Sequence, residues 1–204
     1  MEGQEYLNQI SAANRPVKKS MGGIFSSKFF IVGMIGAIGL ILIIIVGAII
    51  GGNKKGEKDL GYALKLHLSN TSSIIQTYQS DIKSSDLRSS SASLYSVLTN
   101  TERDLTDYLT EKYNFREKDI EKSIVEQATS EKDGIEAELF EAKINGILDR
   151  MYAHKMAYEI SILMNEEVKI INSSKDESLK ELLTTSYNSL GNLLTKFNGF
   201  SETK

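Results

Sequence analysis

Between Phe29 and Ile50 the chain carries 22 consecutive uncharged, mostly apolar residues, and this run constrains everything else. As a helix rising 1.5 Å per residue it reaches roughly 33 Å, enough to cross a hydrocarbon core of about 30 Å once. A cleaved leader would have an apolar stretch of about 7 to 15 residues before a small-residue cleavage site. Here the chain continues Ile49-Ile50-Gly51-Gly52-Asn53, so the run is expected to be an uncleaved signal anchor. Gly47 and Gly51 form a small-xxx-small pair of the kind that lets two membrane helices approach closely.

The expected layout is a basic cytoplasmic tail over 1–28, the transmembrane anchor over 29–50, a linker over 51–56 and a helical bundle over 57–204. Arg15, Lys18, Lys19 and Lys28 before the run are balanced by Lys54, Lys55, Lys58 and Lys65 after it, so the positive-inside count alone sets no orientation. Residues 1–56 carry six Lys or Arg against two Glu, or +4, and residues 57–204 carry 18 against 25, or −7. A short basic tail suits the cytoplasmic side, and a long domain is translocated largely regardless of its charge. The bundle is therefore expected outside the cytoplasm, in a single-pass cell-membrane protein. An acidic domain is a poor partner for nucleic acid, which leaves the lipid bilayer and either a protein partner or self-association. With no Cys, thiol redox chemistry, disulfides and thiolate metal sites are excluded together.

Beyond the linker, apolar residues recur three and four apart, as in the seams of packed helices. Leu60, Leu64, Leu68, Thr71, Ile75, Tyr78 and Ile82 mark a first helix. Ser84, Ser85 and Asp86 supply a turn and N-cap, and Leu87, Ser91, Leu94, Leu98, Thr101, Leu105, Tyr108 and Tyr113 mark a second. Residues 114–146 are more charged, with breaks expected at Gly134 and Asn145-Gly146, and predict a crossover containing short helices. A third long helix is expected from about Ile147 to Ile171. A capping box over Ser174-Lys175-Asp176-Glu177 is expected to open a fourth, with its stripe at Leu179, Leu182, Leu183, Ser186, Leu190, Leu193, Phe197 and Phe200.

At an offset of 92 the halves repeat: Leu87, Arg88, Tyr95 and Leu98 match Leu179, Lys180, Tyr187 and Leu190, and Leu60, Leu64 and Leu68 match Tyr152, Met156 and Ile160. Two hairpins joined by a long connection describe an all-α, ferritin-like four-helix bundle. Leu148-Asp149 with Tyr152, and Asp176 to Leu183, are similar to the starts of the third and fourth helices in an uncharacterised family of bacterial exported, ferritin-like four-helix domains, described as predicted outer membrane proteins. Over residues 57–200 the resemblance implies that fold and an exported location. Where that family places Asp-His pairs, this chain has Asn100-Thr101 and Glu159-Ile160, and no Glu-x-x-His occurs. A di-iron bundle site needs such groups converging on its axis.

Remaining chemistry is sparse. His67 follows Leu64 at helical spacing and is expected to be a hydrogen-bonded structural residue, His154 beside Lys155 to be on the surface, and Glu159, Glu166 and Glu167 to lie on a solvated helix face rather than to hold a hard cation. Ser89-Ser90-Ser91 lacks the Gly-x-Ser-x-Gly turn of a nucleophile, and no phosphate-binding glycine motif is present. Asn70-Thr71-Ser72 and Asn172-Ser173-Ser174 are formal glycosylation sequons. No catalytic, cofactor or metal residues are assigned; the expected role is structural or binding, with a ferritin-like metal or redox protein and a sensor bundle as alternatives.

Overall fold

In a computed structural model, residues 56–203 are described, and they contain helices and no strand. The expected tail, the span 29–50 and nearly all of the linker lie outside the described residues. Among the described residues no helix is long and apolar enough to cross a membrane.

Five helices follow one another: α1 Glu57–Tyr78, α2 Ser85–Tyr113, α3 Lys122–Ile144, α4 Leu148–Ser173 and α5 Glu177–Thr203, with a 3₁₀ turn Glu117–Asp119 before α3. Four of them close a ring in which α1 packs on α2, α2 on α5, α5 on α4 and α4 on α1. The pairing is antiparallel all round. Lys83 and Ser84, just past α1, meet Asp149 at the start of α4, and Lys112 at the end of α2 meets Asp176 at the start of α5. The crossover α3 runs parallel to α1, through Asn70 with Ala128 and Tyr78 with Glu136, and covers the seam between α1 and α4. The periodic apolar stripes meet inside this ring: Leu64, Leu68, Ile75, Leu94, Leu98, Met156, Ile160, Leu190 and Phe197 are each fully buried. Burial of each such side chain stabilises the bundle by roughly 1.5–3 kcal/mol.

Local signals explain the ends. Ser84 caps α2 by accepting from Leu87 N–H at 3.3 Å, as its place before the stripe predicted. Asn114 closes α2 in the left-handed region (φ 53°), where its short polar side chain is tolerated, and Gly146 (φ 71°) turns the chain between α3 and α4. Gly61 marks a close approach of α1 to α2, since a Cβ there would meet Leu109 Cδ2 at 2.9 Å.

Three expectations are corrected. The crossover is one 23-residue helix rather than several short ones, and it runs through Gly134 without a break. A lone glycine costs a helix about 1 kcal/mol, too little to end one that continues on both sides and carries Lys122–Glu126 and Lys132–Glu136 pairs. The cap of α5 is Asp176, whose Oδ1 accepts from Ser178 and Leu179 N–H at 3.1 and 3.3 Å; Ser174 instead ends α4. The first helix ends at Tyr78, so Ile82, expected on its stripe, is buried in the turn beyond it.

Candidate functional site

The polar groups of the bundle gather where one hairpin meets the other. At the end where α1 begins, Glu57 Oε1 accepts from Lys112 Nζ (2.8 Å), Tyr108 OH (2.9 Å) and Tyr113 OH (2.8 Å), while its Oε2 accepts from Ser174 Oγ. Lys112 also reaches Asp176 Oδ2 at 3.0 Å. Helices α1, α2, α4 and α5 are thus tied by one carboxylate and one ammonium. Burial works against the Glu57 charge, but hydrogen bonds from Lys112, Ser174, Tyr113 and Tyr108 outweigh it and hold its pKa down to about 2.

At the opposite end Asp149 plays the matching part. Its two oxygens accept from Lys83 N–H (3.0 Å) and Ser84 N–H (2.8 Å). Glu57 and Asp149 stand 92 residues apart, the offset of the repeat, and each reaches the loop of the opposite hairpin. Tyr152, one turn on from Asp149, shares a buried hydrogen bond of 2.6 Å with Ser91 on α2. The Asp-x-x-Tyr pair and the serine run therefore have a shared structural use: they fasten α4 to the first hairpin.

Midway along the α1–α4 seam, His67 lies between two carboxylates, its Nε2 2.8 Å from Glu159 Oε2 and its Nδ1 2.9 Å from Glu166 Oε2. An ionised carboxylate only accepts, so engaging both requires a proton on each ring nitrogen, which is the imidazolium. Burial favours the neutral ring, but the Glu166 charge, the hydrogen bonds to Glu159 and Glu166, and the Glu159 charge overcome it and hold the His67 pKa well above 6.5. His67 is the hydrogen-bonded structural residue expected. Its partners are not on a solvated face: Glu159 is buried at 5% exposure and Glu166 half-buried.

Glu167 departs furthest from expectation. It is fully buried in the core, and neither carboxylate oxygen has a partner in hydrogen-bonding geometry among the described residues. Burial drives its pKa up to about 8, the Ser186 hydroxyl on α5 works against that rise, and the Glu166 charge adds to it. Ser186 itself accepts from Thr101 Oγ1 on α2 at 3.0 Å, leaving its own proton to turn toward the acid. Thr101, Ser186 and Glu167 form a buried polar layer contributed by α2, α5 and α4.

The sequence contained a signal for the seam. His67 and Glu159 are separated by the repeat offset, and equivalent positions of two antiparallel helices meet only at the axis relating them. Glu167 had no comparable signal, because a lone acid in a charged helix looks like surface. Of the other residues singled out, His154 is exposed, Asn70 donates to Ala128 O at 3.0 Å beneath α3, and Asn172 is exposed near the end of α4.

These groups do not fit a metal centre of the ferritin-like kind. Both nitrogens of His67 are occupied by carboxylates, Glu167 is held toward its neutral acid, and among the described residues no three His, Cys, Asp or Glu side chains converge as ligands. The chemistry they support is cohesion between hairpins. Comparison of the chain with known protein families, with characterised proteins and with solved structures returns no match.

Proposed function

We infer that this protein is a single-pass membrane-anchored module whose helical bundle serves a structural or binding role outside the cytoplasm. The observation that carries the reading is the uncharged run Phe29–Ile50, followed within a few residues by a bundle that ties its own first turn to three other helices through Glu57 and Lys112. A fold fastened at its point of attachment resists fraying where a tether would pull on it. The ring of helices, with α2 and α4 pointing the same way and α3 returning the chain between them, supports a ferritin-like arrangement of the bundle.

A Ser201→Cys substitution in this Cys-free chain tests the reading. Labelling by a membrane-impermeant thiol reagent in intact cells is expected, with the protein retained in the membrane fraction after an alkaline wash. Labelling only after lysis, with any outer barrier opened in a parallel sample, would put the bundle inside; release by the wash would remove the anchor. The alternative, a ferritin-like metal or redox protein, has only the ring of helices in its support. Purified full-length protein carrying stoichiometric iron or manganese would establish that reading in place of the first.

A further inference from the structure

The end of the bundle opposite Glu57 has an unusual surface for so acidic a domain. Phe140 and Ile144, one turn apart near the end of α3, are 55% and 64% exposed, and Ile147 just beyond them is 38% exposed. Ile147 also lines a cleft of about 440 Å³ whose wall includes Leu148 and Phe200 and whose rim carries Lys83, Lys143 and Arg150. The two acids at this cleft are already engaged: Asp81 pairs with Lys143 at 2.7 Å, and Asp149 accepts the Lys83 and Ser84 amides. Lys83 and Arg150 are exposed and have no ion-pair partner among the described residues. Three cations, Lys83, Lys143 and Arg150, against two carboxylates, Asp81 and Asp149, leave the cleft with an excess of one positive charge beside the exposed Ile147, which an amphipathic anion would complement.

We propose that this end of the bundle, through Phe140, Ile144, Ile147, Lys83 and Arg150, docks an acidic amphipathic segment of a partner protein. The proposal rests on the binding role given above and names its surface and chemistry. Charge decides among the occupants. Residues 57–204 carry 18 basic against 25 acidic side chains, so a partner segment rich in Asp and Glu is repelled elsewhere and accepted here. A second copy meeting this end through a two-fold axis would set Lys83 and Arg150 against their own images, a like-charge contact. An anionic membrane would attract the same cations but repel the net −7 of the bundle that carries them.

The test is selection of a random dodecapeptide display library on the full-length protein in detergent. Retained peptides are expected to combine Asp or Glu with Leu, Ile or Phe. Lys83→Glu with Arg150→Glu, and separately Ile144→Asp, should weaken their binding at least tenfold while leaving the circular dichroism and melting of the protein unchanged. Peptides without acidic enrichment, peptides that bind these surface variants equally well, or no enrichment at all would overturn the proposal. Co-purification of two differently tagged copies that is lost in Ile144→Asp would assign the surface to self-association. Capture of separate phosphatidylserine vesicles by reconstituted protein, lost on charge reversal, would assign it to lipid; either result would replace the proposed partner. Peptide binding by purified protein is read whether or not the bundle lies outside the cytoplasm, so its failure and a failure of the membrane reading are separable.

Discussion

The two hairpins of the bundle use the same positions for opposite purposes. Ile75 and Leu94 of the first are buried and apolar, whereas their equivalents 92 residues on are Glu167 and Ser186, buried and polar. Leu60 corresponds to Tyr152, half-buried and apolar in one case, fully buried and hydrogen-bonded to Ser91 in the other. The acids at the hairpin bases, Glu57 and Asp149, keep the same role. Helical spacing is therefore shared between the halves, while the polar layer draws on non-equivalent positions, Thr101 from the first and Glu167 with Ser186 from the second. Buried polar groups specify register at some expense in stability, and here they distinguish two hairpins whose apolar stripes would otherwise be interchangeable.

The largest test of this asymmetry is pH. Glu167 has its pKa raised in the fold, so the unfolded chain holds fewer protons at this site between the ordinary carboxylate range and about 8. Stability at this site is complete below about 4.5, falls as pH rises, and levels off above about 8. The loss is about 5 kcal/mol as an upper figure. Glu167→Gln should flatten the slope of urea-unfolding stability between pH 5 and 8.5, making the variant more stable than the parent at pH 8.5. An unchanged slope would show that the acid layer has no energetic distinction from its apolar counterpart.

Next in size is the seam. His67→Leu leaves Glu159 and Glu166 without their cation and should cost about 3 kcal/mol, measured by chemical unfolding at pH 6. His67 titrates above its unfolded value, so its stabilisation is full below 6.5 and disappears as pH rises through the folded pKa. The parent should therefore lose stability on the alkaline side even with Glu167→Gln in place, and His67→Leu should remove that remaining fall.

The hairpin bases give smaller effects and sharpen the comparison from the side of similarity. Asp149→Ala strips the Lys83 and Ser84 amides of their acceptor and should cost about 2 kcal/mol. Glu57, whose pKa is lowered to about 2, contributes stability that is present above about 4.5 and is lost as pH falls toward 2. Glu57→Gln should reduce that acid-side loss, visible as a shallower decline of melting temperature below pH 4.5. Tyr152→Phe should cost least, about 1 kcal/mol in thermal or urea unfolding, by leaving Ser91 without its partner.

How much was legible in the sequence differs by type of interaction. The stripes of α1, α2, α4 and α5 were readable because burial of Leu, Ile and Phe at a period near 3.6 is repetitive, and repetition survives without coordinates. Ser84 as a cap was readable because it acts three residues along the same chain. The continuity of α3 was not: of its 23 residues only Leu139 and Ala142 are buried, so its periodicity is weak, and the glycine within it looked like a stop. The seam was half legible, since the repeat offset linked His67 to Glu159 but nothing local fixed which faces would meet.

What the sequence determined by itself was the helical class, the apolar stripes of α1, α2, α4 and α5, the repeat and the presence of an apolar run long enough to span a bilayer. Those depend on covalent order and short-range spacing. The tertiary structure alone decided that Glu159 and Glu167 turn inward, that His67 carries a proton on both nitrogens, and that Glu57 and Lys112 together join four helix ends. Each depends on groups more than 50 residues apart being brought within hydrogen-bond distance or out of water together. The direction in which a charged side chain points, and so its ionisation, is set by which helix covers it rather than by its neighbours in the chain.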